Sequence, residues 1–389
     1  MKHHYWEPPI ALYLFLGGLA GGILFLSAIF NSFVIPGYGE IFAFPVLIAL
    51  ICVAIGCVFL IIDLGQPGVF WRVWTTATSI IKWGATFLVI AAVFALLYLL
   101  AFLDQAWPIF GGLSQFLLPA ADFFLIVAGF FGLCIMMYTG IMLSTLKAHA
   151  FWATPALPVL FTISAISTGC AAIVLSIGGW PAQITLESLL AAALVLEILH
   201  IVDIVLVIAE LIVLLTMVLS FAGAGNVTAK KAAMRWIKGS YALLFWVGMV
   251  FLGLLVPLMM YIGGGHSAAA QIVAPVLVLC GGCLLRFMVV NTDDRADIPG
   301  EIRYYNRVAK PDAEFVKKWE YGKNLFSEES QLRENRRLKN DGGATKRSGP
   351  RLFRLAVLAE GCCGIRRRTA SLNKRKRGLQ CLDMCTTTR

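Results

Sequence analysis

The chain has 389 residues, 59% of them hydrophobic, with a mean hydropathy of +0.81 and a formal charge of +10 at neutral pH. No globular surface could hide that much apolar area, so a soluble enzyme is excluded and a polytopic all-α membrane protein is expected. The charge is uneven: residues 292–389 hold 23 Lys+Arg and 13 Asp+Glu, while residues 1–291 hold 9 of each, so the whole excess lies in the tail.

Hydrocarbon requires roughly 20 apolar residues per helical span. Eight stretches qualify: Ile10 to Phe30, Ile41 to Ile62, Trp83 to Leu103, Phe123 to Leu146, Phe151 to Ile177, Leu189 to Leu219, Tyr241 to Ile262 and Gln271 to Val290. The first is too long for a signal-peptide core and no small-residue cleavage site follows it, so it is expected to stay as a span. It carries Gly17, Gly18, Gly21 and Gly22, two overlapping G-x-x-x-G pairs that remove bulk and let a neighbouring helix approach. After the second span, Phe70, Trp71, Trp74 and Trp83 give the loop from Asp63 to Lys82 an aromatic face suited to the headgroup layer, and Trp6 and Trp152 mark the same boundary. The sixth stretch is long enough that it must tilt, kink or protrude.

Two domains are expected: an eight-helix membrane domain over residues 1–291 and a polar, basic tail over 292–389. The tail is mixed polar and aromatic to about Glu329. Beyond about Lys339 it is basic and patternless, and reads as disordered or as a nonspecific binder of anionic surfaces. No nucleic-acid partner is expected.

Eight spans put both termini on one side. The loops after spans 1, 3, 5 and 7 contain no Lys or Arg, whereas those after spans 2, 4 and 6 hold Arg72, Lys82, Lys147, Lys230, Lys231, Arg235 and Lys238. Taken alone, this asymmetry assigns the termini to the cytoplasm.

No cysteine run suits an iron-sulfur cluster, and Cys280 and Cys283 form a C-x-x-C inside an apolar helix, where they read as packing residues. Of the five histidines only His200 is clearly deep, which argues against a bis-histidine haem. The protein is expected to carry neither haem nor iron-sulfur centre.

Ionisable groups are costly in hydrocarbon unless paired or hydrated, so each one at depth is a candidate functional residue. The sixth span holds Glu197, His200, Asp203 and Glu210. At about 100° per residue, His200, Asp203 and Glu210 fall within about 80° of one another, with Glu197 to one side. Such a stripe can relay protons. It can equally bridge helices or pair with Arg286 in the eighth span. A second group lies toward the terminus side: Tyr13, Asp63 and Tyr138, which alternating threading brings to one membrane face. Two phenol donors and a carboxylate in an apolar setting suit a quinone headgroup. Interfacial anchoring of the tyrosines is the competing reading. Intramembrane acids also leave open a secondary transporter, in which they would bind a coupling ion.

Several ordered motifs carry a resemblance: Trp6-Glu-Pro-Pro-Ile-Ala-Leu-Tyr-Leu-Phe-Leu-Gly-Gly-Leu-Ala-Gly-Gly22, Asp63-Leu-Gly-Gln-Pro67 with Phe70-Trp71, Tyr138-Thr-Gly140, and Phe151-Trp-Ala-Thr-Pro-Ala-Leu-Pro158 followed by Ser167-Thr-Gly169. In these the sequence resembles the polysulfide reductase NrfD family of prokaryotic inner-membrane subunits. The resemblance implies eight helices in two four-helix bundles, without haem, exchanging electrons between menaquinol and a four-cluster ferredoxin-like iron-sulfur subunit on the terminus side. A molybdopterin or cytochrome subunit would hold the centre for the terminal substrate. Tyr138 matches the family tyrosine that contacts the quinone. Tyr13 falls where some members carry a histidine, Gln66 where a basic residue is common, and Ala153 where Asn is common. Members of the polysulfide-reductase type usually place the quinone site outside the cytoplasm, opposite to the side the loop charges assign.

Overall fold

The computed structural model describes residues 8–63, 67–75, 79–106, 112–146, 149, 151–177, 186–223, 227–264 and 268–292, and the tail from residue 293 lies outside them. Every regular element among the described residues is helical. The α-helices are α1 (Pro8–Ile29), α2 (Ala43–Asp63), α3 (Ile80–Ala106), α4 (Leu113–Leu117), α5 (Ala121–Ser144), α6 (Ala156–Ser176), α7 (Leu186–Gly223), α8 (Val227–Ile237), α9 (Val256–Gly264) and α10 (Ala268–Thr292).

Eight segments are long and apolar enough to cross a membrane: Pro9–Val34, Gly39–Ile62, Ile80–Leu103, Ser114–Ser144, Ala156–Ser176, Leu186–Gly223, Leu244–Gly263 and Gln271–Thr292. The expected count of spans is therefore present. The fifth begins later than its apolar run suggests. Pro155 caps α6, and Thr154 before it is biased away from helical geometry, while Phe151 and Trp152 form a turn ahead of the helix. The sixth is longer than expected: 38 residues, about 57 Å at about 1.5 Å per residue, more than the hydrocarbon core of about 30 Å can cover. Span 7 opens as a π-helix over Leu244–Leu255 before continuing as α9, and α1 ends in a π turn over Phe30–Val34.

The first span is the hub. α1 packs on α2, α5, α6 and α10, while α6 packs on α5, α7 and α10. The division into two bundles of four is not established by this packing, because α1 and α6 bind extensively across the line between them. The glycines of α1 permit the close approaches. A Cβ on Gly21 would come within 2.6 Å of the Gly132 carbonyl oxygen of α5, and one on Gly169 of α6 within 2.6 Å of the Gly22 carbonyl carbon.

Polar contacts lock the ends. On one face Asn31 donates to Asp122 at 2.7 Å, and Tyr98 donates to the Gly39 carbonyl, joining spans 1 with 4 and 3 with 2. On the other, Trp152 donates to the Val289 carbonyl at 2.9 Å and Trp236 to the Thr292 hydroxyl at 2.7 Å, fixing the end of α10. Between α2 and α3 a 3-10 helix, Pro67–Trp74, presents Trp71 outward, and Trp83 near the start of α3 is exposed as well.

Candidate functional site

Two sets of polar side chains lie inside the helix packing. In the first, Tyr13 follows the start of α1 at Pro8 by five positions, and Tyr138 precedes the end of α5 at Ser144 by six. The two Cα atoms therefore lie about 8 to 9 Å inside the helix ends, and each side chain is only 6% exposed. Tyr13 lies within electrostatic reach of Tyr138 and of Cys57 of α2. The remaining walls are apolar or bare: the Tyr13 ring faces Gly56 and the Tyr138 ring lies over Gly84 of α3. The Tyr138 hydroxyl bonds the thioether of Met142, one turn on, at 3.2 Å. A thioether is a weak acceptor, so a ligand carbonyl could displace it readily. Asp63 closes α2, and its side chain lies outside the described residues.

The second set is deeper and joins four helices. Ser167 of α6 donates to the buried Asp203 of α7 at 2.6 Å. Tyr261 of α9 stands against the same carboxylate, and its ring lies 5.3 Å from that of the half-buried His200. Two turns along α7, the buried Glu210 lies against Ser164 and within electrostatic reach of Arg286. Arg286 of α10 is 1% exposed. Its Nη1 donates to the Ser164 hydroxyl and the Gly282 carbonyl, each at 2.9 Å, and its Nη2 to the Phe161 carbonyl at 3.3 Å. The guanidinium also stacks over Phe161 and Phe15, 5.4 and 5.7 Å from the ring centres. On the α1 side Gly18 leaves it room, since a Cβ there would lie 3.2 Å from Nη2.

Arg286 thus touches α1 five residues below Tyr13, with Ser164 and Glu210 beside it, and Ser167, Asp203, Tyr261 and His200 form a second group one turn along α6. Glu197 does not join them; it is exposed on the outer face of α7. Sequence reasoning missed Ser164, Ser167 and Tyr261. Serines in membrane helices ordinarily bond their own backbone, and only the three-residue spacing of Ser164 and Ser167 hinted that both face one neighbour. Among the described residues no group of three His, Cys, Asp or Glu is placed to hold a metal ion.

A family profile described as Polysulphide reductase, NrfD, matches residues 1–293. The protein belongs to that family. Relatives include Protein NrfD of Escherichia coli, 27% identical over 73% of this chain and 93% of that protein. The C subunit of the Wolinella succinogenes polysulfide reductase is 29% identical over the same shares, and the NrfD homolog of Haemophilus influenzae is 25% identical over them. In this NrfD-family protein both polar sets lie within the matched residues, and the match ends one residue beyond the last helical residue of α10.

Proposed function

We propose that the protein is the quinone-interacting membrane subunit of a multi-subunit reductase of the inner membrane, exchanging electrons with an iron-sulfur partner. Family membership supports the subunit role, and one relative is by name the C subunit of a polysulfide reductase. The observation that carries the site is the pair of buried phenols, Tyr13 and Tyr138, within electrostatic reach of one another near one end of the bundle.

The residues fit a menaquinone headgroup. Tyr138 offers a hydroxyl whose bond goes to a sulfur, Tyr13 offers a second donor, and both tyrosine rings pack against glycines rather than against polar groups. When bound, the quinone supplies a carrier of two electrons and two protons. Tyr138 and Tyr13 hold and orient its carbonyls, and Asp63 exchanges protons with the nearby aqueous face. The series Arg286, Glu210, Ser164, Ser167, Asp203, Tyr261 and His200 offers a route for protons toward the opposite face, with Glu197 outside it. Electrons pass to or from a four-cluster ferredoxin-like partner on the terminus side, and a molybdopterin or cytochrome subunit acts on the terminal substrate. Both termini share that side.

Quinol oxidation by the complex carrying Tyr138→Phe tests the site. Loss of one hydrogen bond made in the transition state lowers turnover about tenfold or more; unchanged turnover removes Tyr138 from the site. A reporter fused after Lys147 decides which compartment that face meets.

A further inference from the structure

The short helix α8, between spans 6 and 7, has two unlike faces. Ala229, Ala232, Ala233 and Trp236 are buried against the protein, and Arg235 and Trp236 tie the helix to Thr292 at the end of α10, at 3.2 and 2.7 Å. The outer face carries Lys230, Lys231 and Met234, all exposed, and Lys238, whose backbone N–H bonds the Met234 carbonyl at 3.0 Å and so extends the turn. At about 100° per residue these four fall within an arc of about 100°, with Met234 between the lysines. Among the described residues no carboxylate pairs with the three ammonium groups.

The apolar surface continues past Lys238. Leu243 is 73% exposed and Trp246 45%, and the Trp246 indole donates to the Ile237 carbonyl at 3.2 Å, which holds the start of span 7 beside α8. An exposed methionine between lysines, next to the exposed Trp246 near the start of span 7 and the exposed Leu243 just before it, suits the level where acyl chains give way to phosphates. Lysine stems can lie along apolar surface while their ammonium groups reach the headgroups.

The geometry points to a site for an anionic phospholipid on the outer face of α8, with the headgroup phosphate held by Lys230, Lys231 and Lys238 and the upper acyl segment against Met234, Leu243 and Trp246. Through Arg235, Trp236 and Thr292 the bound lipid braces the end of α10, the helix that carries Arg286.

The test titrates the delipidated full-length protein in zwitterionic detergent with phosphatidylglycerol and with phosphatidylcholine, following bound lipid by native mass spectrometry and the unfolding midpoint in parallel. Phosphatidylglycerol is expected to bind more tightly than phosphatidylcholine and to raise the midpoint. In the K230Q/K231Q/K238Q triple variant its affinity is expected to fall on the order of a hundredfold, about fivefold per lysine. The matching triple Lys→Arg variant is expected to stay within about threefold of wild type, because the charges remain. High ionic strength should weaken the preference. Equal binding of the two lipids, or an unchanged affinity in the glutamine variant, overturns the site. So does displacement of the lipid by millimolar inorganic phosphate or by a soluble acidic peptide at comparable concentration, which would make the patch a phosphate or protein site instead. Quinol oxidation is a separate readout, so its loss in a Tyr138 variant leaves this result standing.

Discussion

The phenol ring of Tyr138 occupies the space that a side chain at Gly84 would need. The relationship crosses two spans, α5 and α3, and makes the absence of a Cβ at Gly84 a condition for the buried orientation of the tyrosine. Gly84→Ala should tilt the ring and cost about 1 to 3 kcal/mol of stability through overpacking. Quinol turnover should fall about as far as in Tyr138→Phe, roughly tenfold. Gly56→Ala is the control, because a Cβ there meets the Tyr13 ring at an ordinary 3.6 Å. Thermal unfolding and quinol oxidation of both variants check the pair. Equal behaviour of the two variants would separate Gly84 from the site.

Arg286 is held by Ser164 and by two backbone carbonyls, and Glu210 lies within electrostatic reach of it. Removing one member of a buried charge pair strands the other, at a cost of about 3 to 5 kcal/mol, whereas removing both can be nearly neutral. Arg286→Met should therefore destabilise the protein strongly. Adding Glu210→Gln to that variant should recover part of the loss. Unfolding midpoints of the two single variants and the double variant close the cycle, and strict additivity would show that the two groups do not interact.

The apolar runs showed where the spans lie because length and hydropathy alone decide whether a helix can cross hydrocarbon. They misplaced the start of α6, where Pro155 rather than hydropathy sets the boundary, and shortened α7, whose ends at Leu186 and Gly223 run beyond the apolar centre. Of the candidate residues, Asp203 and Glu210 stood out because a carboxylate at depth is rare. Ser164, Ser167 and Tyr261 did not, because hydroxyls are common in membrane helices and their partners lie on other spans. Gly84 was equally silent. Its role depends on a ring some fifty residues away, and no local pattern reports that.

Asp203 sits where Ser167, Tyr261 and the half-buried His200 meet. If protons reach the opposite face through this group, Asp203→Asn keeps the shape and an oxygen that can accept from Ser167 while removing the exchangeable carboxyl proton. Proton movement coupled to quinol oxidation in reconstituted vesicles should then drop about tenfold or more. Oxidation by the same complex in detergent should remain near wild type, because Asp203 belongs to α7 and not to α1 or α5, which carry Tyr13 and Tyr138. Equal losses in both assays would place Asp203 in the framework instead of on a proton path.

Gly17 and Gly22 belong to the same glycine-rich stretch of α1, yet their surroundings predict opposite outcomes. A Cβ on Gly17 has Ile135 Cγ2 at 3.9 Å as its nearest neighbour, whereas one on Gly22 would run into the backbone of Ala165 and Gly169 on α6. Alanine at Gly17 fits and gains helix propensity, worth about 0.5 to 1 kcal/mol. Alanine at Gly22 forces α1 and α6 apart at their crossing, and backbone cannot yield as a flexible side chain does, so a loss of about 1 to 3 kcal/mol or more is expected. The separation also shifts Ser164 and Ser167, which lie on α6 beside that crossing, so Gly22→Ala should impair coupled proton movement as well as stability. Unfolding midpoints of the two variants in the same detergent decide the comparison, and a Gly22→Ala protein as stable as Gly17→Ala would show that the crossing of these helices is looser than the glycines imply.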